Sequence, residues 1–276
     1  MKKCHINLRE LGIALLAPIC ITFVHGLIPS SLVSCVIIII LCGCIHHIYP
    51  WIFTTGDNRN NKNRTGTRSL SFLFCFCIFI LIVITGLSLQ FFSTGILNAI
   101  ELHRPELLGS YRDMVRSSFS LNNGIFRVTT VMLLAPVCEE LVFRGISLSS
   151  SRRAFTCRHS DAIAILLSAL LFALYHGNLV QFCYALPMGI LLALLATWTS
   201  SLLPSILLHI TINVSSYFTG MLPFALPHTG CILATGITSA AGFIALYLLL
   251  RRSGKSHKVS CCLLYTSPSP RDGATS

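Results

Sequence analysis

Eight stretches of this sequence are long and apolar enough to cross a bilayer, and that excludes most of what a chain of this length can be. They are residues 11–29, 32–53, 70–92, 128–150, 162–180, 182–199, 202–221 and 231–250. A hydrocarbon core of about 30 Å takes roughly 20 apolar residues as a helix. The expected fold is therefore all-α, a polytopic membrane helix bundle of about eight transmembrane helices. Composition agrees: 54% of residues are hydrophobic and 11% charged, where a soluble domain carries roughly a quarter charged. A water-soluble enzyme, a disordered chain and a small disulfide scaffold are excluded. The net charge of +11 points to the anionic leaflet of a membrane rather than to nucleic acid, because a chain this apolar has little soluble surface on which to gather it. The 13 cysteines lie mostly inside apolar runs and form no C-x-x-C pair, so they read as free thiols used as small apolar filler.

The first stretch follows Lys2, Lys3 and Arg9 as a signal peptide would. It is long for one, lacks an A-x-A-like site near Leu27–Ser31 and leads straight into a second span, so it reads as a retained anchor. Orientation follows from basic residues in the connections. The N-terminus, the 54–69 loop, the 151–161 loop and the 251–261 tail after the eighth span carry fourteen of them, and eight crossings put these four segments on one side. Both termini are expected in the cytoplasm. The opposite side holds Arg104, Arg112, Arg116 and Arg127, all in the 93–127 loop. That loop reads equally as an amphipathic surface segment or as irregular chain. Residues 1–261 are expected to form one membrane domain, with a motif core at about 125–221. The string CLLYTSPSPRD from Cys262 resembles translated sequencing-adapter read-through, so 262–276 reads as a non-native tail.

Ionisable groups inside a membrane are costly and mark function by default. Only Glu139, Glu140 and Arg144 fall within a span, in Ala135-Pro136-Val137-Cys138-Glu139-Glu140-Leu141-Val142-Phe143-Arg144-Gly145. Glu140 and Arg144 are four apart on one helix face and suit a charge-assisted pair. Glu139 is turned about 100° away, which leaves it less compensated and disposed towards general-base work. Pro136 removes one helical hydrogen bond just ahead of the pair. Two further pairs share helix faces: Phe172 with His176 at the end of the fifth span, and His209 with Asn213 in the seventh. At ~1.5 Å per residue, Glu139 lies ~16 Å, His176 ~21 Å, His209 ~10 Å and Asn213 ~16 Å from the cytoplasmic ends of their spans. All four belong to one central layer and can line one cavity. Taken singly, Glu140–Arg144 also reads as an interhelical staple with Glu139 facing a water pocket, His176 as an interfacial histidine, and His209 with Asn213 as an interhelical hydrogen-bonding patch.

Together these motifs resemble the CAAX-prenyl-protease and bacteriocin-processing family of intramembrane glutamic endopeptidases, marked by E-E-x-x-x-R, F-x-x-x-H and H-x-x-x-N in that order. The likeness covers roughly residues 125–221, with no departure at a motif position. It implies that Glu139 is the general base and, with His176, holds the attacking water. It implies that His209 and Asn213 donate to the tetrahedral oxyanion. Glu140 and Arg144 would form a supporting pair, and Phe172 would pack behind the histidine. No H-E-x-x-H, G-x-S-x-G or G-x-S-G occurs, so zincin, hydrolase-elbow and rhomboid-like chemistries lack their residues. Two histidines and a glutamate also match a His₂Glu zinc site; the resemblance points instead to a cofactor-free mechanism.

The implied substrate is a lipidated, CAAX-like C-terminus or a membrane peptide, with a bacterial inner membrane suiting the compact chain better than an endoplasmic reticulum. A non-catalytic bacteriocin-immunity or peptide-binding protein is the alternative. A small transporter is weaker, since there is no halved repeat. His25, His46, His47, His103, His159 and His228 read as span-end or loop residues, and Phe72, Phe74, Phe76 and Phe79 as lipid-facing bulk.

Overall fold

The computed structural model describes residues 5–28, 30–53, 72–119, 125–157, 159–221 and 229–256. Within them the chain forms α1 (Leu8–Leu27), α2 (Ser31–Ile48), α3 (Phe72–His103), α4 (Leu108–Phe119), α5 (125–154), α6 (Ser160–Tyr175), α7 (Leu179–Thr199), α8 (Leu203–Met221) and α9 (Thr229–Ser256). All but α4 correspond to the eight apolar stretches, and the fold is an all-α membrane bundle. Helix starts are set by polar caps that satisfy otherwise orphaned N–H groups. Asn7 accepts from Arg9 and Glu10, Ser30 from Val33, and Asn178 from Val180 and Gln181.

Two boundaries differ from the sequence expectation. α3 does not stop near residue 92 but runs to His103, where Pro105 opens a 3₁₀ turn, Pro105–Leu107, leading into α4. The described part of the 93–127 loop is thus helical, and α4 buries Leu108 while exposing Arg112 and Asp113. The fifth span ends at Tyr175, short of residue 180. Gly177, at φ 64°, stops α6 in the left-handed conformation glycine tolerates, and Asn178 starts α7. Leu179 and Val180 prolong the apolar run but belong to the next helix. At 16 residues, α6 is only ~24 Å long, so His176 sits at a helix end.

Two apolar cores share the bundle. One joins α1, α2, α5, α6 and α7 around Phe143, Leu148 and Phe172; the other joins α3, α7, α8 and α9 around Ile82, Leu192, Leu208 and Leu246. Small residues bring backbones together, as membrane interfaces favour: a Cβ on Gly86 of α3 would lie 2.7 Å from Thr211 Cγ2 of α8, and one on Gly242 of α9 would lie 2.7 Å from Thr85 Oγ1. Outward faces are apolar, with Phe23, Ile40, Leu73, Phe76, Phe79 and Ile244 exposed. Of the phenylalanines expected to be lipid-facing in the third span, Phe76 and Phe79 are exposed, Phe74 is half-buried and the Phe72 side chain lies outside the described residues.

A two-residue antiparallel pair, β1 (His5–Ile6) with β2 (Phe155–Thr156), ties the N-terminal segment to the α5–α6 connection. Asn7 N–H donates to the Ala154 carbonyl at 2.8 Å. Arg153 donates to Glu10 at 3.0 Å and to the Trp51 carbonyl at 2.9 Å, and its guanidinium lies 5.0 Å from the Trp51 ring centre. Three of the connections singled out by their basic residues therefore begin or end at one pole of the bundle. Lys2, Lys3, the 54–69 loop, His228 and the tail from 262 lie outside the described residues.

Candidate active site

The site is built on α5, whose backbone departs from α-helical geometry on both sides of the two glutamates. Thr130–Leu134 and Leu141–Leu148 are π-helical, and Ala135–Glu140 between them is α-helical. Pro136 accounts for the first departure: its ring clashes with the carbonyl four residues back, and a wider turn relieves the clash.

Glu140 and Arg144 are both fully buried, and Arg144 Nη1 donates to Glu140 Oε1 at 2.9 Å. Glu140 Oε2 and Arg144 Nε are buried with no hydrogen-bond partner among the described residues, so the remaining contacts must offset the desolvation of the pair. Arg144 Nη2 donates to the Gly189 carbonyl of α7 at 3.2 Å, and its guanidinium stacks 4.3 Å from the centre of the Phe172 ring of α6. Glu140 Oε1 also accepts from His209 Nδ1 of α8 at 3.0 Å. One ion pair therefore joins four helices.

Gly189 was not legible as a site residue. A Cβ there would lie 3.1 Å from both Ala169 Cα and Phe172 Cδ1, so its absence lets α6 approach α7 and frees the carbonyl to meet Arg144.

Glu139 is 13% exposed, with Oε2 3.6 Å from His209 Nε2, an ion-pair distance longer than a hydrogen bond. Among the described residues His209 is the histidine within ion-pair reach of Glu139. His176 turns onto its own helix, with Nδ1 2.8 Å from the Phe172 carbonyl. A carbonyl only accepts, so this nitrogen carries the proton and a neutral ring keeps Nε2 as an acceptor. The same reasoning assigns a proton to His209 Nδ1, because Glu140 accepts there. The two histidines meet through Phe172, whose ring lies 4.9 Å from His176 and 5.6 Å from His209, edge-on to each. Asn213, one turn beyond His209, donates through Nδ2 to the Val131 carbonyl at 3.1 Å.

Further tethers reach α5 from its neighbours. Cys138 Sγ donates to the Cys35 carbonyl of α2 at 3.2 Å, Ser147 Oγ to the Ala14 carbonyl of α1 at 2.8 Å, and Ser168 Oγ of α6 to the Phe143 carbonyl at 2.8 Å. His25, read from the sequence as a span-end residue, bonds Ser34 at 2.7 Å and lies within the electrostatic reach of Glu139. Among the described residues, no three His, Cys, Asp or Glu side chains are grouped as a metal site requires.

Residues 121–215 match the model of a family described as type II CAAX prenyl endopeptidase Rce1-like. Over these residues the chain is similar to the Rce1-like family. The match runs from just before α5 to near the end of α8 and contains all seven motif residues. The description of that family is of a CAAX prenyl endopeptidase, a peptide-bond hydrolase. The helices α1 to α4 and α9 lie outside the match and add to that segment the tethers from Ala14 and Cys35. The chain matches no curated protein and no solved structure.

Proposed function

We propose that the chain is a glutamic intramembrane endopeptidase, with Glu139 as general base and no metal in the reaction. The observation that carries this reading is the meeting of Glu139, Glu140, Arg144 and His209 from two helices in the apolar interior, where charge has to be justified by function. Glu139 takes a proton from water, helped by the acceptor Nε2 of His176, as the water oxygen bonds to the scissile carbonyl carbon. The oxyanion accepts from His209 Nε2–H and from the amide of Asn213. Glu139 then passes its proton to the departing nitrogen as the C–N bond breaks. His209 can donate from Nε2 while Nδ1 donates to Glu140 only as an imidazolium, so Glu140 supports the oxyanion as well as Arg144. Each histidine Nδ1 is held by a protein acceptor, which fixes the ring and turns Nε2 towards the site.

The substrate is a lipidated, CAAX-like C-terminal tail or a membrane peptide. An apolar groove of about 280 Å³ between α1, α2 and α5 supports the lipidated class, with Ile21, Val24, Ile38, Cys42 and Val142 among its walls. Val142 lies one turn from Glu139. The pole carrying Arg9, Arg152 and Arg153 faces the cytoplasm of a bacterial inner membrane and its anionic lipids, with both termini on that side.

The purified protein, in lipid nanodiscs, would be given a quenched fluorescent farnesylated peptide with and without a zinc chelator. Cleavage unchanged by chelator and abolished by Glu139→Gln is expected. Cleavage lost with chelator and restored by zinc overturns the metal-free mechanism. Binding without cleavage by the wild type favours the immunity or peptide-binding role.

A further inference from the structure

The π turn before Pro136 leaves one backbone carbonyl with nothing in its own helix to bond. Ala135 N–H donates to the Thr130 carbonyl, five residues back. In an α-helix the same N–H would go to Val131. In the π register Val131 would instead take the N–H of residue 136, which is a proline and has none. Val131 is thus passed over in both registers, and its carbonyl must find a donor outside its own helix. Asn213 Nδ2 donates to that carbonyl, at 3.1 Å. A carbonyl only accepts, so the amide must present its nitrogen here. The bond fastens α8 to α5 one turn before Pro136 and two before the glutamates, and Asn213 sits one turn beyond His209.

We propose that Asn213 is a positioning residue: one amide hydrogen closes the backbone gap created by Pro136 and so fixes Glu139 relative to His209, while the second remains for the oxyanion. The positional claim rests on the endopeptidase reading; the gap and its closure do not. The two sequence features explain each other. A proline three residues ahead of the general base sets the wider turn, and the asparagine on the facing helix completes it.

The test is a double-mutant cycle on the full chain in detergent, with Asn213→Ala, Pro136→Ala and the pair. An alanine at 136 restores a donor for Val131 in the π register, and in the α register Ala135 returns to it. Asn213→Ala alone should lower the melting temperature and speed amide exchange across 130–140. Adding Pro136→Ala should recover most of both losses, and should stabilise the Asn213→Ala protein more than the wild type. Equal shifts in the two backgrounds overturn the proposal. On the farnesylated peptide, the pair should exceed Asn213→Ala in kcat by about tenfold with KM unchanged, as expected when a misplaced base is restored. Equal kcat for the pair and Asn213→Ala overturns the positioning role. Stability and exchange are readable without turnover, so the coupling between Asn213 and Pro136 is measured even if the endopeptidase reading fails.

Discussion

The α5–α8 half of the molecule and the helices around it solve membrane packing in different ways. Around α5 the contacts are polar and specific: Glu140 with Arg144 and His209, Arg144 with Gly189, Ser168 with Phe143, and Asn213 with Val131. Between α3, α8 and α9 the contacts are close approaches of small residues, such as Gly86 at Thr211 and Gly242 at Thr85. The first kind costs desolvation and returns position; the second returns packing alone. A bundle that needed only to persist in lipid would have no use for the first. Its concentration on α5 and the helices that contact it separates the site from the scaffold of α3 and α9.

The largest contrast is expected from two arginines. Arg144→Ala leaves Glu140 buried without its cation and also removes the bond to Gly189, a loss of about 3–5 kcal/mol. Arg152 pairs with Asp161, whose side chain is 58% exposed, so Arg152→Ala should cost under about 1 kcal/mol. Thermal unfolding of the two variants checks this, and equal stability would erase the division between site and scaffold. Two glycines sharpen it at smaller scale. Gly189→Val forces atoms into Ala169 and Phe172 and should cost about 1–3 kcal/mol, with turnover falling as Phe172 shifts beneath both histidines. Gly43 has nothing within 4 Å of a Cβ, so Gly43→Val should change stability by no more than about 0.5 kcal/mol. Asn178→Ala removes the α7 cap for about 1 kcal/mol and should loosen His176 more than His209. Amide exchange at the α6–α7 turn would register it.

The parts of this arrangement that were legible in sequence are those that break the rules of a membrane span. Glu139, Glu140 and Arg144 stand out because charge is rare there, and the i, i+4 spacing correctly anticipates the Glu140–Arg144 contact. His209 was visible as a partner for the same layer, but its bond to Glu140 was not, because spacing within a helix says nothing about which residue of another helix it meets. The end of α6 was misread although Gly177 and Asn178 announce it, since hydropathy sums across a tight turn between two apolar helices. The extension of α3 to His103 left no hydropathy signal, because that segment is helical without being apolar. Gly189 acts through a carbonyl and a missing Cβ, neither of which a side-chain pattern reports. Pro136 predicted a missing hydrogen bond, while the residue that replaces it, Asn213, lies far along the chain.

The most direct test of the account is a comparison of new peptide termini across the membrane proteome of cells expressing wild type or Glu139→Gln at matched levels. The substitution keeps the shape and hydrogen bonding of the side chain while removing the base. The account predicts termini that arise with wild type and vanish with the variant, both proteins being folded and inserted. Identical termini from the two would contradict it and identify the buried charges as belonging to a binding or immunity protein.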